Sequence, residues 1–344
     1  MKKTLVLLGL TLFLSCGQPK TQLLSSAELP QKEVKNYLQT ITADELKTYL
    51  HIVAADSMQG RDTGSKGQKK AGDYLIAQYQ KMGISHPKEA NSFYQKVPAE
   101  FMQINFSPKM NDSENIWAFI PGSEKPDEIV VISAHYDHVG MKNGDIYNGA
   151  DDDGSGTVAL LEIAQAFMKA KKDGHGPKRS LLFLHVTGEE YGLHGSRYYV
   201  ENPLFPLKNT VANINIDMIG RRDRLHPNTN NYVYVIGSDR LSTDLHKINE
   251  KANSLYTQLD LDYKYNAKDD PERIYFRSDH YNFAKKGIPA IFFFNGVHDD
   301  YHEPGDTPDK IEYDALAKRT QLVFATAWEV ADRPQRLVVD KDGK

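Results

Sequence analysis

The chain has 344 residues, of which 40% are hydrophobic and 26% are charged, and these proportions are ordinary for a globular protein. Lys and Arg number 42 against 46 Asp and Glu, so the net charge is -4. This balance gives no basic surface of the kind that nucleic-acid-binding proteins need, and we expect no nucleic-acid partner. The length suffices for one large domain or for two of ordinary size.

The first residues have the layout of a secretory signal. Lys2 and Lys3 precede an apolar stretch, residues 5–14, which is shorter than the roughly 20 residues that span a bilayer. Cys16 is the only cysteine, so the chain can form no internal disulfide. Its position after Ser15 resembles the lipobox of bacterial lipoproteins, although Phe13 stands where Leu is usual.

The lipobox resemblance implies a division of the N-terminal region. Residues 1–16 would comprise a signal peptide and an acylated Cys16, and residues 17–35 would form a flexible tether. The rest of the chain would then be exported, lipid-anchored to a bacterial membrane, and facing the periplasm or the outside. The alternative is a buried cysteine in an uncleaved anchor.

The first folded elements are expected to be helices. Thr42 and Glu45 have capping-box spacing before a helix that runs through Leu50. A second helix, ending near Met82, has Ala71, Tyr74, Leu75 and Tyr79 on one face. Further amphipathic stretches lie near residues 156–170, 239–256, 278–286 and 313–332.

Short apolar runs alternate with these later helices and are predicted to be strands. They are Ile129–Ala134, Leu181–Val186, Val211–Ile216, Tyr232–Ile236 and Ala290–Phe294. Runs that are apolar on both faces are typical of a sheet covered by helices on both sides. We therefore predict an α/β fold with a mixed, largely parallel sheet flanked by helices, in one domain over residues 36–344.

Imidazoles and carboxylates follow the predicted strands at the points where they end. These groups are His135 to His138, Glu189 with Glu190, Asp217, and Asp299 to His302, and a Gly-rich loop adds Asp151 to Asp153. Each group alone is explained as a cap or a turn. Because the carboxyl ends of parallel strands form the ligand-binding edge of such sheets, their convergence indicates a site. Mixed His and carboxylate donors without thiolates suit catalytic zinc.

A calcium loop is a competing interpretation of the acidic segment. Asp151, Asp153 and Ser155, followed by Glu162, fit the EF-hand pattern. An EF-hand also needs a helix before its loop, and residues 139–149 are too rich in Gly and Asn to form one. We therefore favour the zinc interpretation.

Several motifs together resemble peptidase family M28. They are AHYDH (134–138), GADDDGSG (149–156), GEEYGLHGS (188–196), NIDMIG (215–220), SDHYNFAKKGIPA (278–290) and YHEPGDTPDK (301–310). The resemblance implies the zinc-dependent exopeptidase fold and two zinc ions per chain, held by His135, Asp152, Glu190, Asp217 and His302. In this assignment His135 and Asp217 hold one ion, Glu190 and His302 hold the other, and Asp152 bridges both.

The resemblance also implies roles for residues around the ligands. Glu189 would be the general base for a zinc-bound hydroxide, and Tyr275 would stabilise the oxyanion. Asp137 would stand behind His135, and three other side chains would support the ligands: Asp279, His280 and Asp306. His138 and His298 are left out of the ligand set, since the family pattern favours His302.

The function that this resemblance implies is hydrolysis of peptide bonds, with release of N-terminal residues. Two alternatives stay open: a glutaminyl cyclase-like enzyme on the same fold, and a catalytically silent, lipid-anchored binding protein. Peptides are the expected partners, and a monomer is the default oligomeric state.

Overall fold

The computed structural model describes residues 31–103 and 109–342, so the predicted signal peptide and Cys16 lie outside the described residues. Its α-helices are α1 Gln31–Leu38, α2 Ala43–Val53, α3 Lys66–Met82, α4 Ala99–Met102, α5 Gly156–Lys172, α6 His194–Glu201, α7 Thr243–Ala252, α8 His280–Ala284 and α9 Tyr313–Asp332. Its strands are β1 Tyr94–Val97, β2 Ser113–Ile120, β3 Lys125–His135, β4 Gly140–Lys142, β5 Asp145–Tyr147, β6 Arg179–Val186, β7 Thr210–Ile216, β8 Tyr232–Ile236, β9 Asp260–Asp262 and β10 Ala290–Phe294.

Helix α2 begins at the predicted cap, but one of the two capping-box hydrogen bonds has a different acceptor. The Thr42 hydroxyl accepts a hydrogen bond from the Glu45 backbone N–H at 3.3 Å. In a capping box Glu45 would accept from the Thr42 N–H in return, but here the Glu162 carboxylate accepts that bond, also at 3.3 Å. The distant Glu162 on α5 thus completes the cap and ties α2 to α5.

Eight strands form one mixed sheet in the order β1-β2-β6-β3-β7-β10-β8-β9. The central neighbours β6, β3, β7 and β10 run parallel, whereas β1, β2 and β8 pair antiparallel with their inner neighbours. The prediction of a mixed, largely parallel sheet is therefore confirmed. Because β6, β3, β7 and β10 are adjacent and parallel, their carboxyl ends lie side by side along one edge.

Alternating side chains of the sheet are buried under helices on opposite faces. On β3, Val130 and Ile132 pack into the larger core cluster, and Ile129 and Val131 pack into a second one. Helices α5 and α9 cover the first face, where the Phe167 ring lies 4.8 Å from that of Phe324. Helices α6 and α8 cover the second. Buried strands with apolar residues on both faces therefore account for the continuous runs in the sequence.

The fold departs from the predicted elements near the N-terminus. Residues 31–35, placed in the tether by the sequence, form the first part of α1, because Val34, Tyr37 and Leu38 are buried against the core. Strands β1 and β2 were not predicted. Within residues 31–103 and 109–342, no helix is long and apolar enough to cross a membrane.

Candidate metal centre

The residues predicted to bind metal come from five separate segments that meet at one edge of the sheet. His135 is the last residue of β3, Asp217 follows β7, and Glu189 and Glu190 follow β6. His302 lies in the loop after β10, and Asp152 lies in the loop that leads into α5. The order β6-β3-β7-β10 brings these strand ends together.

Asp152 occupies the centre of the cluster, between two imidazoles. Its Oδ1 lies 3.1 Å from Nε2 of His135, and its Oδ2 lies 3.0 Å from Nε2 of His302. The carboxylate is buried, with 3% of the residue exposed. The two oxygens of one side chain thus face two different groups of donors, as the bridging assignment requires.

The first group of donors comprises His135 and Asp217. Nε2 of His135 lies 3.5 Å from Oδ1 of Asp217, and Oδ2 of Asp217 accepts a hydrogen bond from the Ser278 hydroxyl at 2.6 Å. Nδ1 of His135 lies 3.0 Å from the backbone carbonyl of Asp137 and donates to it. This bond leaves Nε2 free to face Asp152 and Asp217, the arrangement that a metal-binding histidine needs.

The second group comprises Glu190 and His302. Oε2 of Glu190 lies 2.9 Å from Nε2 of His302. Burial and the Asp152 carboxylate would raise the pKa of Glu190, but His138 and His302 outweigh both and lower it. Burial would lower the pKa of His302, but Asp152 and Glu190 raise it to about 10. The His302 imidazole therefore sits in a strongly negative environment that also favours a cation.

The loop that carries His302 is held by ion pairs outside the cluster. Asp300 accepts from Arg221 at 3.0 Å and from Lys310 at 2.7 Å. His302 itself has a φ of 57°, in the left-handed region that non-glycine residues seldom adopt. Met218, next to Asp217, has a φ of 60°. Backbone strain of this kind clusters at functional sites and persists only where the surroundings enforce it.

Asp306 and Asp137, which the resemblance places behind the ligands, accept hydrogen bonds from groups around the site. Asp306 accepts from the N–H groups of Asp151, at 2.9 Å, and Asp152, at 3.1 Å, and so fixes the acidic loop. The Asp137 carboxylate accepts from the Thr63 hydroxyl at 2.7 Å and from the Glu189 N–H at 3.4 Å. A carboxylate oxygen of Asp137 lies 3.8 Å from Nδ1 of His135, so the backbone carbonyl of Asp137 is the closer contact of that nitrogen.

The three adjacent aspartates have different neighbours. Asp153 also lies near His135 and Asp217, and these three could hold an ion. The Asp153 oxygens, however, accept hydrogen bonds from three backbone N–H groups, those of His135, Gly156 and Met218. Asp151 accepts from the Gly220 N–H at 2.6 Å and lies 3.2 Å from Nε2 of His298. Asp152 is therefore the member best placed to bridge. A cis peptide bond joins it to Asp153.

Two predicted residues, Tyr275 and His280, make packing contacts. The Tyr275 ring packs against Gly237 and the guanidinium of Arg240, 4.5 Å from the ring centre. The His280 ring stacks on Phe292, with 4.9 Å between ring centres. Burial lowers the pKa of His280 to about 3, so the imidazole is neutral. The oxyanion role of Tyr275 stays a prediction.

Asp279 lies beneath the cluster, in a polar network with α6. One of its oxygens accepts a hydrogen bond from the Ser196 hydroxyl, and the side chain is fully buried. Burial raises its pKa to about 7, the nearby His135 and the Ser196 bond only partly offsetting this. Its contacts are those of a supporting residue.

A pocket beside Asp152, Glu189 and Asp217 contains residues that the sequence did not single out. Its apolar walls are Met218, Ile274, Phe292, Phe294 and Val297, and its polar walls include Arg277 and Tyr301. The Tyr301 ring stacks on His302, with 3.9 Å between ring centres. The sequence feature that could have indicated Tyr301 is its position next to the predicted ligand His302.

Arg61 is a further residue that the sequence did not single out. The fully buried guanidinium donates to four carbonyls, those of Val53, Tyr136, Asn148 and Gly149. These bonds tie the residues just before the acidic loop to the end of α2 and to the segment after β3. Arg61 also places a positive charge near Asp152, Asp153 and Asp306. It partly balances the negative charge of the site.

The donor set fits a divalent metal. The Nε2 atom of His135 is buried and has no hydrogen-bond partner among the described residues, although it faces Asp152 and Asp217. Buried polar atoms are normally satisfied, so an exception requires an explanation. A cation between the imidazole and the carboxylates would supply one. Nitrogen and oxygen donors with no thiolate suit zinc.

Comparison with known proteins agrees with this geometry. Residues 115–327 match the model of peptidase family M28. A probable leucine aminopeptidase from Trichophyton verrucosum is 32% identical over 224 residues, which are 63% of this chain and 57% of that protein. This chain thus spans little more than half the length of that relative.

Solved structures share the fold. The LapA aminopeptidase of Legionella pneumophila superposes with a TM-score of 0.66 at 22% identity, covering 89% of this chain and 76% of that one. The Porphyromonas gingivalis glutaminyl cyclase superposes with a TM-score of 0.64 at 20% identity, covering 83% of this chain and 97% of that one. With the family match extending over more than half of its length, this chain belongs to peptidase family M28.

Proposed function

We propose that this protein is an aminopeptidase that uses two zinc ions. The observation that carries the proposal is the position of the Asp152 carboxylate, which faces His135 through one oxygen and His302 through the other. His135 and Asp217 would hold one ion, Glu190 and His302 the other, and Asp152 both. When bound, two adjacent zinc ions supply an acidified water and a Lewis acid for the peptide carbonyl.

Glu189 is the proposed general base. It lines the same pocket as Asp152 and Asp217, and its Oε2 lies 4.0 Å from Nε2 of His135. Burial raises the pKa of Glu189 well above its usual value, which suits a carboxylate that must take up a proton and later return it. Its neighbour Glu190 contacts His138 and His302 instead, so the adjacent glutamates face different partners.

We propose Tyr301, in preference to Tyr275, as the donor to the substrate carbonyl oxygen. It lines the pocket beside Asp152, whereas Tyr275 does not. Burial raises the pKa of Tyr301, and the carboxylates of Asp152, Glu189 and Glu190 raise it further. The hydroxyl therefore keeps its proton and can donate a hydrogen bond to developing negative charge. Arg277, 3.5 Å from this hydroxyl, adds a positive charge on the same wall.

The pocket supports a preference for apolar N-terminal residues. Five of its lining residues are Met218, Ile274, Phe292, Phe294 and Val297, which form an apolar surface next to Glu189. Burial of an apolar side chain there would be favourable by about 25 cal/mol per Å². The preference for an N-terminus is itself supported by the relatives named as aminopeptidases.

The test is hydrolysis of a panel of aminoacyl-nitroanilides and free dipeptides, with and without chelation and zinc add-back. We expect leucyl and phenylalanyl substrates to be cleaved faster than aspartyl or lysyl ones. Activity should disappear on chelation and return with zinc. A zinc-loaded protein that hydrolyses none of the panel would contradict the proposal.

Glutaminyl cyclisation is the second candidate, favoured by the shared fold of the Porphyromonas gingivalis glutaminyl cyclase. The complete set of donors for two ions argues for hydrolysis instead. The same panel separates the two, with an N-terminal glutaminyl peptide added. Formation of pyroglutamate without amide hydrolysis would favour the cyclase. Zinc binding with neither reaction would favour a silent binding protein.

A further inference from the structure

His138 is a buried imidazole beside the second group of donors. Its Nδ1 lies 2.7 Å from Oε1 of Glu190 and 3.7 Å from Oδ2 of Asp152. His302 contacts the other Glu190 oxygen and the same Asp152 oxygen. The two imidazoles therefore approach the same pair of carboxylates, with 5.7 Å between ring centres.

Neither ring nitrogen of His138 makes a hydrogen bond to a described residue, and the side chain is 0% exposed. The approach of Nδ1 to Glu190 is short but lacks the angle of a hydrogen bond. A buried polar atom left without a partner costs about 1–3 kcal/mol. Burial of the His138 ring is therefore destabilising unless a partner, such as a metal ion, binds Nδ1.

The surroundings hold this ring in place. A Cβ atom on Gly149 would lie 2.5 Å from the His138 ring, so only glycine allows the imidazole to pack there. The carbonyl of Gly149 is itself bonded by Arg61 at 2.8 Å, and the His138 N–H donates to the carbonyl of Arg61 at 3.2 Å. Backbone and side chain of His138 are therefore both positioned by this one arginine.

We propose that Nδ1 of His138 is an additional ligand of the zinc held by Glu190 and His302. This rests on the proposed two-zinc function. One ion would then have four protein donors: His138, Asp152, Glu190 and His302. The other would have three: His135, Asp152 and Asp217. Four protein donors leave an ion fewer open positions than three do, so the site with three donors has more room for water or substrate. The two sites are therefore unequal in affinity and role.

The test is zinc binding, measured by competition with a chromophoric chelator and by metal analysis after dialysis. Wild-type protein should bind two zinc ions, one more tightly than the other. Loss of a supporting residue behind a ligand weakens metal binding by about 10–100-fold. We expect His138→Ala and His138→Gln to weaken the tighter ion by more than about 100-fold. Thermal unfolding of the apo-proteins checks that each variant is folded.

The Gln variant distinguishes a ligand from a hydrogen-bonding partner, because its amide can still donate to Glu190. Two-ion binding of wild-type affinity in His138→Gln would overturn the proposal and leave His138 as a positioning residue. His185→Gln is the matched control, since that buried imidazole bonds to Tyr79 and should not alter zinc binding. A wild-type protein that binds fewer than two ions would overturn the two-zinc function itself, and this inference with it.

Discussion

Adjacent acidic residues in this site differ in role because the backbone turns them toward different neighbours. Asp151 faces His298, Asp152 faces two imidazoles, and Asp153 accepts from backbone N–H groups. Glu189 and Glu190 diverge in the same way. At the scale of single residues, the account therefore predicts that neighbouring conservative substitutions have different consequences.

Glu189→Gln should keep the fold and both metals but lower kcat by about 10²–10⁴-fold, because the nucleophile loses its base. Kinetics with a leucyl substrate and metal analysis of the same preparation measure both quantities. The matched variant is Glu190→Gln, which should lose affinity for one ion. Near-normal turnover by Glu189→Gln would remove the proposed base.

Asp152→Asn should weaken both ions together, since its two oxygens face the two groups of donors. Chelator competition measures the two affinities separately. Asp151→Asn is the control, and it should retain both ions because Asp151 contacts His298 and a backbone N–H. If Asp152→Asn loses only one ion, Asp152 is a terminal ligand and the bridging assignment is wrong.

Residue types at strand ends, together with the family motifs, were enough to predict a site whose five proposed ligands the fold brings together. The family motif indicated Tyr275 for the oxyanion role, and nothing comparable in the sequence singled out Tyr301. That choice depends on which ring lines the pocket, a property of loop conformation. His138 was left out of the ligand set because the family pattern favours His302, and its approach to Glu190 is visible only in the folded loop.

At the scale of elements, long apolar runs were predictable and edge elements were not. Strands β3, β6, β7, β8 and β10 are buried over most of their length, so their sequences contain largely apolar runs. The edge strand β1 has only four residues, and its neighbour β2 begins with three polar residues, Ser113 to Asn115. The N-terminal helix α1 was missed because its apolar residues, Val34, Tyr37 and Leu38, are few and lie in a polar segment.

One contact between elements carries a pH dependence. Burial raises the pKa of Glu162 on α5 from 4.5 to about 8, and the Glu45 carboxylate adds to this. The folded chain therefore holds this proton more tightly than the unfolded chain. Its contribution to stability is complete below pH 4.5 and is lost as the pH rises toward about 8. The slope from this one group is at most about 1.4 kcal/mol per pH unit.

Glu162→Gln should accordingly raise the free energy of unfolding near pH 8 and flatten its decline between about pH 5 and 8. The amide oxygen can still accept the hydrogen bond from Thr42, so the α2 cap is kept. Urea unfolding across this pH range measures the effect. Glu89→Gln, at an exposed position, should leave the pH dependence unchanged. Identical pH profiles for wild type and Glu162→Gln would show that Glu162 is not protonated in the fold.

At the scale of the whole molecule, the described domain carries the complete candidate site, and membrane attachment would depend on residues before it. Lipid attachment at Cys16 remains a prediction from the lipobox resemblance. In a lipoprotein-exporting bacterial host, full-length protein should label with palmitate and fractionate with membranes. Cys16→Ser should abolish the label and shift the protein out of the membrane fraction, while its specific activity stays unchanged. Equal labelling of both proteins would contradict the lipobox.

The central claim is that two zinc ions share Asp152 and together support hydrolysis. The most direct measurement is a zinc titration of the chelated protein, with bound metal and hydrolysis of a leucyl substrate followed in the same sample. The account predicts that binding saturates at two ions per chain and that full activity is reached only there. Saturation at one ion with full activity would contradict the shared two-zinc site.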